Sequence, residues 1–480
     1  MKETTHTTNS SASIVDTIVK ILMSLNEKNA AYVVLEALGK HASSLDEFNV
    51  MGKNFHSIKK YKEAYKFTLE CMKKAEETKE PELILVAKKN LLQCLTSLNE
   101  GEEAIDLIDS TSKDYPEFYD TDTKIQKAFA LFIVNRKDEG EQILKEIIAD
   151  KNNTETDIDI AKFNMAAHDF RHGRFKDALS KFIHYGRKRS TNVRSSLPFS
   201  PWVGQLLNGI HNVILTAEAG IGDEFVNVRF MKHLKKYIGP SRQAYWCTDR
   251  KEVRDVFTEN GIKCLSTKEA LEMKKNNTLT CNSMEVPLHL NLQEKDLYSG
   301  PYIARPKALI TPATAEVRVG LRWAGNPEYE HDLQRTIPIQ QLFDKIYDPS
   351  IDFYSLQRDS DMEFLKRFDP KVINLYEAGG LDTIADTMRS ISMLDVVITS
   401  CTSIAHMAAS MGVETWVLPP IANYYVWSNP TNPIEPDLPY THTQWYGENV
   451  KIFQQKKPKV WDDVFDDVAS TLYRRYQLKH

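Results

Sequence analysis

The sequence predicts an all-α helix-pair region followed by an α/β region of two doubly wound lobes. Three observations predict this α+α/β class. Residues 1 to about 190 carry helical periodicity and almost no β-like runs. From Trp202 onwards, short apolar runs alternate with amphipathic helical stretches, which is typical of parallel sheets covered by helices. The alternation starts again at Val317, so we expect two lobes with a cleft between them.

Four stretches of the helical region share a polar turn, a small residue and an apolar helix face. They are KKYKEAYKFTLECMKKA, NEGEEAIDLIDST, NRKDEGEQILKEIIA and RHGRFKDALSKFIHY, with the small residues Ala64, Ala104, Gly140 and Ala178. These positions lie 40, 36 and 38 residues apart, somewhat longer than the roughly 34-residue period of tetratricopeptide repeats, which the pattern resembles. An irregular helical domain is the alternative interpretation.

The α/β region is predicted from short β-branched or apolar runs and the helical segments between them. The runs are NVILTAEAG, AYWCT, VRVGLRW, DFYSLQ, VINLY, LDVVITS, TWVLPP and VKIFQQ. The helical segments are EFVNVRFMKHLKKY, KEVRDVFTEN, IQQLFDKI, LDTIADTMRSIS and TSIAHMAASMG. We therefore predict a helical repeat domain at 1–190, a first Rossmann-like lobe at 200–312 and a second at 313–480. The basic, serine-rich stretch 187–200 is the predicted linker.

The charge balance does not favour a protein that holds nucleic acid through a basic surface. The 480 residues include 61 Lys and Arg against 66 Asp and Glu, a formal net charge of -5 at pH 7. There is no global basic field, so nonspecific binding to nucleic acid is not expected.

The cysteines and the N-terminus predict a cytoplasmic location. The six cysteines contain no C-x-x-C pair and no accompanying histidine cluster, so neither a zinc site nor a disulfide framework is favoured, and a reducing compartment fits. Asp16 and Lys20 interrupt the first apolar stretch, which argues against a signal peptide. The sequence contains no run of about 18 apolar residues, so no membrane span is predicted.

The first candidate site is the turn AGIGDE, which follows the run NVILT. Gly220 and Gly222 permit a tight turn and a close approach of another molecule to the backbone. A dinucleotide fingerprint would require a third glycine where Phe225 stands, so a dehydrogenase is not favoured. Asp223 could cap the following helix, and a carboxylate in a cleft could equally accept a proton from a hydroxyl nucleophile.

The second candidate site is the stretch TSCTSIAHMAAS, where a strand ends and a helix begins. The free N–H groups and the dipole of a helix start attract anions. Thr402 and Ser403 would add hydroxyl donors, and His406 follows one turn later. The alternative is ordinary Ser/Thr capping of the helix with a packed histidine.

Arginines after two other strands are the third candidate feature. Arg335 and Arg358 could neutralise a diphosphate. The triplet Asp359–Asp361 has the D-x-D form used by metal-dependent glycosyltransferases. Similar acidic triplets occur in the helical region, at Asp120 and Asp157, so chance accounts for it and no metal is predicted.

Taken together, four stretches resemble one protein family. AEAGIGDEFVNVRF, VGLRWAGNPEYEHDLQRTIPI, FYSLQR and LDVVITSCTSIAHMAASMGVETWVLPP occur in that order. They resemble bacterial tetratricopeptide-repeat glycosyltransferases with a heptosyltransferase-like catalytic region, which are distant relatives of O-GlcNAc transferases. The resemblance covers roughly residues 202–455. It implies a GT-B fold and a metal-independent, usually inverting transfer from a nucleotide sugar.

The resemblance also implies roles for individual residues. Asp223 matches the proposed general base of the heptosyltransferases, and the first-lobe turn would face the acceptor hydroxyl. Residues implied on the nucleotide-sugar side are Gly222, Asn326, Arg335, Gln357, Arg358, Thr402, Ser403 and His406. No cofactor is implied beyond the nucleotide sugar as co-substrate.

Two features of the sequence leave alternatives open. Relatives commonly have Asp where this chain has Cys401, and the change could alter the preference for nucleotide or sugar. Trp427 and Trp445 flank a segment with prolines at 430, 433, 436 and 439, which would either wall the cleft or pack as a surface loop.

The partners follow from the same interpretation. A nucleotide sugar is the expected donor, and a protein or peptide held by the helical repeats is a plausible acceptor. A saccharide is equally compatible, and a nucleobase in DNA is less favoured. The alternative function is a catalytically inactive body that serves a helical scaffold, although the joint presence of Asp223, Thr402 and His406 favours an enzyme.

Overall fold

The computed structural model describes residues 11–25, 27–189, 197–308, 315–327, 329, 332–358, 362–368, 371–428 and 438–477. The Asp359–Asp361 triplet, half of the predicted linker (190–196) and the prolines at 430, 433 and 436 lie outside the described residues. The chain divides into two compact units. The first unit is Met1–Asn153 with Asn326–Gln334, and the second unit is Thr154–Gly325 with Arg335–His480.

The first unit contains eight described helices from the N-terminal part of the chain. They are α1 (Ser11–Ser24), α2 (Lys28–Gly39), α3 (Leu45–Ser57), α4 (Tyr61–Thr78), α5 (Pro81–Ser97), α6 (Gly101–Asp114), α7 (Thr121–Ile133) and α8 (Lys137–Ala149). The prediction of a helical repeat region is confirmed. The small residues occur where the neighbouring structure leaves no room for a larger side chain. A Cβ at Gly140 would lie 2.8 Å from the Phe132 ring and 2.9 Å from the Ala128 carbonyl oxygen, and Ala64 and Ala104 are fully buried.

The last predicted helix pair, α9 (Glu155–Arg171) and α10 (Phe175–Arg189), belongs to the second unit. The ring of Phe170 stacks on Tyr425 with centroids 4.3 Å apart, and Arg171 Nε donates to the Asn423 carbonyl at 2.7 Å. The pair therefore packs on a loop of the α/β region. The domain boundaries at 190, 200 and 312 stay predictions.

The first sheet of the second unit has five parallel strands. They are β1 (Ser200–Pro201), β2 (Asn212–Thr216), β3 (Gln243–Cys247), β4 (Cys264–Leu265) and β5 (Thr278–Asn282), in the order β1-β5-β2-β3-β4. The helices that accompany it are α11 (Ile221–Asn227), α12 (Phe230–Ile238), α13 (Lys251–Glu259), α14 (Thr267–Leu271) and α15 (Val286–His289).

The second sheet has six parallel strands. They are β6 (Val317–Arg322), β7 (Ile351–Ser355), β8 (Val372–Asn374), β9 (Val396–Ser400), β10 (Glu414–Leu418) and β11 (Val450–Ile452), in the order β11-β10-β9-β6-β7-β8. The helices that accompany it are α17 (Ile339–Ile346), α18 (Met362–Phe368), α19 (Ile384–Ser392), α20 (Ser403–Ser410) and α21 (Asp462–Tyr476). The short helix α16 (Asp332–Arg335) precedes α17 and belongs to the first unit except for Arg335.

The order of the second sheet is that of a doubly wound dinucleotide-type fold, with the first strand at the centre. The strand order reverses between β6 and β9 in this sheet and between β2 and β5 in the first. Ligands of open α/β sheets bind at such points, outside the carboxyl ends of the strands. The glycine-containing turn AGIGDE follows β2, and the threonine-containing turn CTSIAH follows β9. Both turns therefore lie where ligands are expected.

No helix in the described part of the chain combines the length and the apolar character that spanning a bilayer requires.

Candidate functional site

Asp223 lies in the first turn of α11, where it is held from both sides. Its Oδ2 accepts a hydrogen bond from the Gly220 backbone N–H at 2.9 Å, and its Oδ1 accepts one from the Tyr424 hydroxyl at 2.7 Å. Burial raises the pKa of Asp223 above its usual value, although the hydrogen bonds from Tyr424 and Gly220 act in the opposite direction. Asp223 stands at the third helical position and caps the N–H of Gly220, which is the N-cap residue. The capping interpretation holds in this form, and the general-base role stays a prediction.

Glu224, the next residue, has a structural role. Its carboxylate is fully buried and accepts hydrogen bonds from Trp246 Nε1 at 2.9 Å and from Thr248 Oγ1 at 3.1 Å. Arg250 pairs with it at 2.5 Å and also donates to the Ala219 carbonyl at 2.9 Å. Ala219 has φ +55, an uncommon conformation for a residue with a Cβ. Glu224 and Arg250 therefore fix the turn that carries Asp223.

Gly222 brings α11 against α20. A Cβ at this position would lie 2.9 Å from His406 Cδ2 and 3.4 Å from Ser403 Cα. No space for a side chain remains between the two helix starts at this point. The structure therefore places Asp223 beside the second sheet's helix rather than across an open cleft from it, and the glycine serves this contact.

We expect Gly222→Ala to destabilise the fold by about 1–3 kcal/mol, the usual cost of overpacking a well-packed contact. The reason is that His406, the nearest side chain, is itself held by stacked rings. Chemical denaturation would measure the loss. Gly220→Ala is the matched control, because Gly220 has φ -89 and its Cβ would meet only an Asp223 oxygen, at 3.3 Å. Equal losses for the two variants would contradict this account.

His406 is buried among aromatic side chains. Its ring stacks on Trp427 with centroids 4.4 Å apart, and the edge of Tyr424 faces it at 5.8 Å. Its Nδ1 lies 3.0 Å from the Tyr446 hydroxyl. Burial, followed by the positive charge of Arg229, lowers the pKa of His406 to about 3. The imidazole is therefore neutral at physiological pH and is a hydrogen-bonding partner rather than a cation for a diphosphate.

This pKa makes stability depend on pH in a defined direction. The unfolded chain binds a proton at His406 below about pH 6.5, whereas the folded chain does so only near 3. Stability that is complete above pH 6.5 is therefore lost as the pH falls towards 3. Going from about pH 7.5 to about pH 5 should cost about 2 kcal/mol through this group.

His406→Asn, which keeps a polar atom near the Nδ1 position and cannot titrate, is the control. Urea denaturation of both proteins at the two pH values measures the difference, because other titrating groups are common to both. Parallel losses in the two proteins would show that His406 does not carry the effect.

The start of α20 has no side-chain cap among the described residues. Thr402 stands at the N-cap position, but its hydroxyl lies 3.3 Å from the Thr399 hydroxyl and caps no N–H of the first turn. Thr402 is buried, whereas Ser403 is partly exposed. Thr402 therefore does not cap the helix through its side chain, as the alternative interpretation predicted. His406 is packed among other side chains, as that interpretation predicted.

Cys401, Arg335 and Trp427 meet beside this helix start. Arg335 donates to the Cys401 carbonyl at 2.9 Å, and Trp427 Nε1 lies 3.1 Å from the Cys401 sulfur. Burial raises the pKa of the Cys401 thiol to about 11, so the side chain is neutral. Cys401 thus accepts a hydrogen bond from the indole but brings no negative charge.

Three other predicted residues lie after β6 and β7. Gln357 is buried and its Oε1 accepts from the Ala324 N–H at 3.1 Å. Arg358 is exposed, with its guanidinium 5.6 Å from the Tyr376 ring centroid. Asn326 is exposed and belongs to the first unit. The structure brings together Gly222, Asp223, Ser403 and His406, and it does not record these three in that cluster.

Arg229 is a central residue that the sequence analysis missed. Its side chain is buried and donates to the carbonyls of Val226 at 2.6 Å and Leu297 at 3.0 Å and to that of Trp445. A further donation reaches the Tyr302 hydroxyl at 2.8 Å. The motif VNVRF gave no signal for this role, because a lone arginine in an amphipathic helix usually faces solvent.

Aromatic rings surround this guanidinium and connect it to His406. The guanidinium carbon lies 4.7 Å from the Tyr302 ring centroid and 4.6 Å from that of Tyr446. Tyr446 also contacts His406 through its hydroxyl. Trp427 and Trp445 are both buried in this cluster. The two interpretations of the proline segment between them stay open, because residues 429–437 lie outside the described part of the chain.

Comparisons with known proteins return weak similarities. No described protein family matches the sequence, and no curated protein matches it significantly. A double mutant of MamA RS-1 has 12% identity and a TM-score of 0.27, covering 38% of this chain and 97% of its own. A mutant O-GlcNAc transferase from Thermobaculum terrenum has 11% identity and a TM-score of 0.35, covering 98% and 93%. LpoA from Haemophilus influenzae has 10% identity and a TM-score of 0.22, covering 86% and 75%. All three TM-scores are below 0.5, so these similarities do not establish a shared fold.

Proposed function

We propose that the chain is a glycosyltransferase of GT-B type that moves a sugar from a nucleotide-sugar donor to a hydroxyl acceptor. The observation that carries the proposal is that two turns lie against each other, each at a point where the strand order of its sheet reverses. The turn after β2 supplies Asp223, a carboxyl group with a raised pKa, and the turn after β9 supplies the start of α20 beside it. The order of the sequence motifs supports the same interpretation.

In the proposed step, Asp223 acts as the general base. The acceptor O–H bond breaks, its proton passes to Asp223, and the oxygen attacks the anomeric carbon. The bond from that carbon to the phosphate oxygen breaks, and the diphosphate leaves with the electron pair. Both Asp223 oxygens already accept one hydrogen bond, but a carboxylate has about four acceptor sites, so an acceptor hydroxyl can be added.

The diphosphate would lie beside the first turn of α20. Backbone N–H groups and the helix dipole favour negative charge at this end, and Ser403 and Arg335 are partly exposed there. Arg358 would add charge from the end of β7. No metal ion is required in the transfer step on this proposal, because the arginines and the helix dipole offset the charge of the leaving group.

A protein or peptide is the acceptor that we propose. The helix pairs of the first unit are similar in pattern to tetratricopeptide repeats, whose stacked units form extended binding surfaces. A saccharide acceptor uses the same chemistry, and a nucleic acid is not favoured by the net charge of -5.

A second candidate function is a non-catalytic body that presents the helical repeats. One observation favours it: Tyr424 and Gly220 already donate hydrogen bonds to the Asp223 carboxylate, and Gly222 is packed against His406. Such internal contacts are also what a purely structural carboxyl group makes.

A survey of nucleotide sugars separates the two functions. The full chain would be incubated with each sugar nucleotide, and release of the nucleoside diphosphate would be measured with and without peptide or saccharide acceptors. Release above background that depends on Asp223 supports the enzyme. No release from any donor, together with unchanged thermal stability in the presence of all donors and nucleoside diphosphates, supports the scaffold.

Tyr424→Phe tests whether Asp223 is the base. The Tyr424 hydroxyl lowers the pKa of Asp223 by donating to its carboxylate. Removing the hydroxyl should raise that pKa, and a base is active only when ionised. The acidic limb of the pH–rate profile should therefore move to higher pH. Tyr425→Phe is the control, because its hydroxyl donates to Met284 and, although it lies 3.4 Å from the Tyr424 hydroxyl, donates no hydrogen bond to Asp223. An unmoved limb in Tyr424→Phe would show that another group titrates.

A further inference from the structure

A cluster of three metal-ligating side chains lies at the carboxyl end of β5, away from the residues discussed so far. Cys281 is in β5, Glu285 is in the turn that follows, and His289 ends α15, with the spacing C-x3-E-x3-H. One potential ligand atom of each residue lies within 4.8 Å of those of the other two. The side chains of Glu285 and His289 are only 3% and 6% exposed, and Cys281 is fully buried.

The distances in the cluster fit a tetrahedral ion. Cys281 Sγ lies 3.6 Å from Glu285 Oε2, and the same oxygen lies 3.6 Å from His289 Nε2. Tetrahedral zinc, with bonds of about 2.3 Å to sulfur and about 2.1 Å to oxygen or nitrogen, sets such ligand pairs about 3.4–3.6 Å apart. The 3.6 Å separation of the imidazole nitrogen and the carboxylate oxygen is also too long for a good hydrogen bond.

The imidazole nitrogen is the second, independent observation. His289 Nε2 is buried and has no hydrogen-bond partner in the structure as described. Leaving a buried polar atom without a partner destabilises the folded state. The ring is held in place by the edge of Trp202, with centroids 5.4 Å apart. His289 Nε2 is therefore a fixed nitrogen without a hydrogen-bond partner, directed at a carboxylate and a thiol. This is the arrangement that a metal-binding histidine requires.

We propose that Cys281, Glu285 and His289 bind one divalent transition-metal ion, of which Zn²⁺ fits the mixed sulfur, oxygen and nitrogen ligands best. On binding, the Cys281 S–H bond breaks, the proton leaves to solvent and a sulfur–metal bond forms. The thiolate and the carboxylate then neutralise the two charges of the ion, and the neutral imidazole supplies the third bond.

The position of the cluster defines what the ion does. Met284, between two of the ligands, lies 3.5 Å from the Tyr425 hydroxyl, and Asn282 accepts from the Thr216 hydroxyl at 3.0 Å. The ion therefore ties the segment 281–289 together where it supports the end of β2 and the loop that carries Tyr424. Its role is structural and does not depend on the proposed transfer reaction.

The test uses the full chain, purified without chelator from zinc-supplemented cells. We expect elemental analysis to find one zinc ion per chain. After removal of metal with a chelator, the melting temperature should fall and should recover on addition of Zn²⁺ alone. Replacement by Co²⁺ should give the thiolate-to-cobalt charge-transfer absorption and the intense visible bands of a tetrahedral site.

Variants identify the ligands. Cys281→Ser and His289→Gln should lose the bound zinc, and Cys281→Ser should also lose the charge-transfer band. Cys264→Ser and His233→Gln, which change the same residue types outside the cluster, should retain both. If a ligand variant fails to fold, the wild-type measurements still decide. No bound metal, no recovery of melting temperature with zinc, or a cobalt spectrum without the thiolate band would overturn the proposal.

Discussion

Asp223→Asn should reduce sugar transfer by about 10²–10⁴-fold, the usual contribution of a general base. The amide keeps the shape of the side chain, so its oxygen still accepts from Gly220, and its other terminal atom still faces the Tyr424 hydroxyl. Asparagine cannot take up a proton, and its NH2 group can donate to the Tyr424 oxygen but cannot accept from it. The Tyr424 hydroxyl hydrogen then has the Tyr425 hydroxyl, 3.4 Å away, as an acceptor. Steady-state transfer rates on the donor found by the survey would measure the effect, and transfer within threefold of wild type would refute the assignment.

The same substitution should leave the fold at least as stable as the wild type at a pH where Asp223 is ionised. Burial raises the pKa of Asp223 in the folded chain. A carboxyl group of this kind contributes stability below its unfolded pKa of about 3.9, and that contribution is lost as the pH rises through the folded value. Above that value the ionised side chain is a cost that asparagine does not carry.

The neighbouring carboxylate provides the matched comparison. Glu224→Gln should cost about 1–3 kcal/mol, because it removes the charge that Trp246, Thr248 and Arg250 surround. Two adjacent acidic residues should therefore give opposite results, one losing activity and the other stability. Loss of stability in Asp223→Asn of the same size as in Glu224→Gln would show that Asp223 has only a structural role.

Arg229→Met should be the most destabilising substitution in the second unit, with a loss of about 3 kcal/mol or more. The guanidinium donates to three backbone carbonyls, of Val226, Leu297 and Trp445, and each buried acceptor left without a donor costs about 1–3 kcal/mol. Arg229→Lys should recover little, because one ammonium group cannot reproduce the planar arrangement of donors. Guanidinium chloride denaturation would measure both losses.

Arg242 supplies the control for this prediction. It also donates to three carbonyls, of Ile210, Ile238 and Leu207, but it is partly exposed. Water can replace its hydrogen bonds, so Arg242→Met should cost clearly less than Arg229→Met. Equal losses would mean that burial does not determine the contribution of Arg229.

The sequence predicted the architecture because the relevant signals are local. The apolar runs that became β2, β3 and β6 to β11 alternate with helical segments, and all of them form the expected strands. The strand β5 was missed, since Thr278–Asn282 reads as polar. Its five residues are nonetheless buried, because β5 is an interior strand between β1 and β2, where the threonine methyl groups pack and the neighbouring strands supply the hydrogen bonds.

The candidate site was predicted only where its residues belong to a motif. Gly222, Asp223, Ser403 and His406 lie close together in the folded chain, and their role in a site stays a prediction. Tyr424 is 201 residues from Asp223, and only the folded chain shows that it donates to that carboxylate. The surroundings of Arg229 come from several distant segments for the same reason. Pairings across such distances leave no periodicity or spacing in a single sequence.

The attachment of α9 and α10 bears on how this protein could have diversified. Arrays of repeats change length when units are duplicated or deleted during evolution. Here the last helix pair, α9 and α10, is bound to the α/β region through Phe170 and Arg171. The boundary between the two compact units precedes this pair, between Asn153 and Thr154. Gain or loss of repeats upstream of Thr154 leaves the loop that carries Tyr424 intact, whereas loss of the last helix pair removes its support. We therefore expect related chains to differ in repeat number on the N-terminal side of this junction and to retain the last pair.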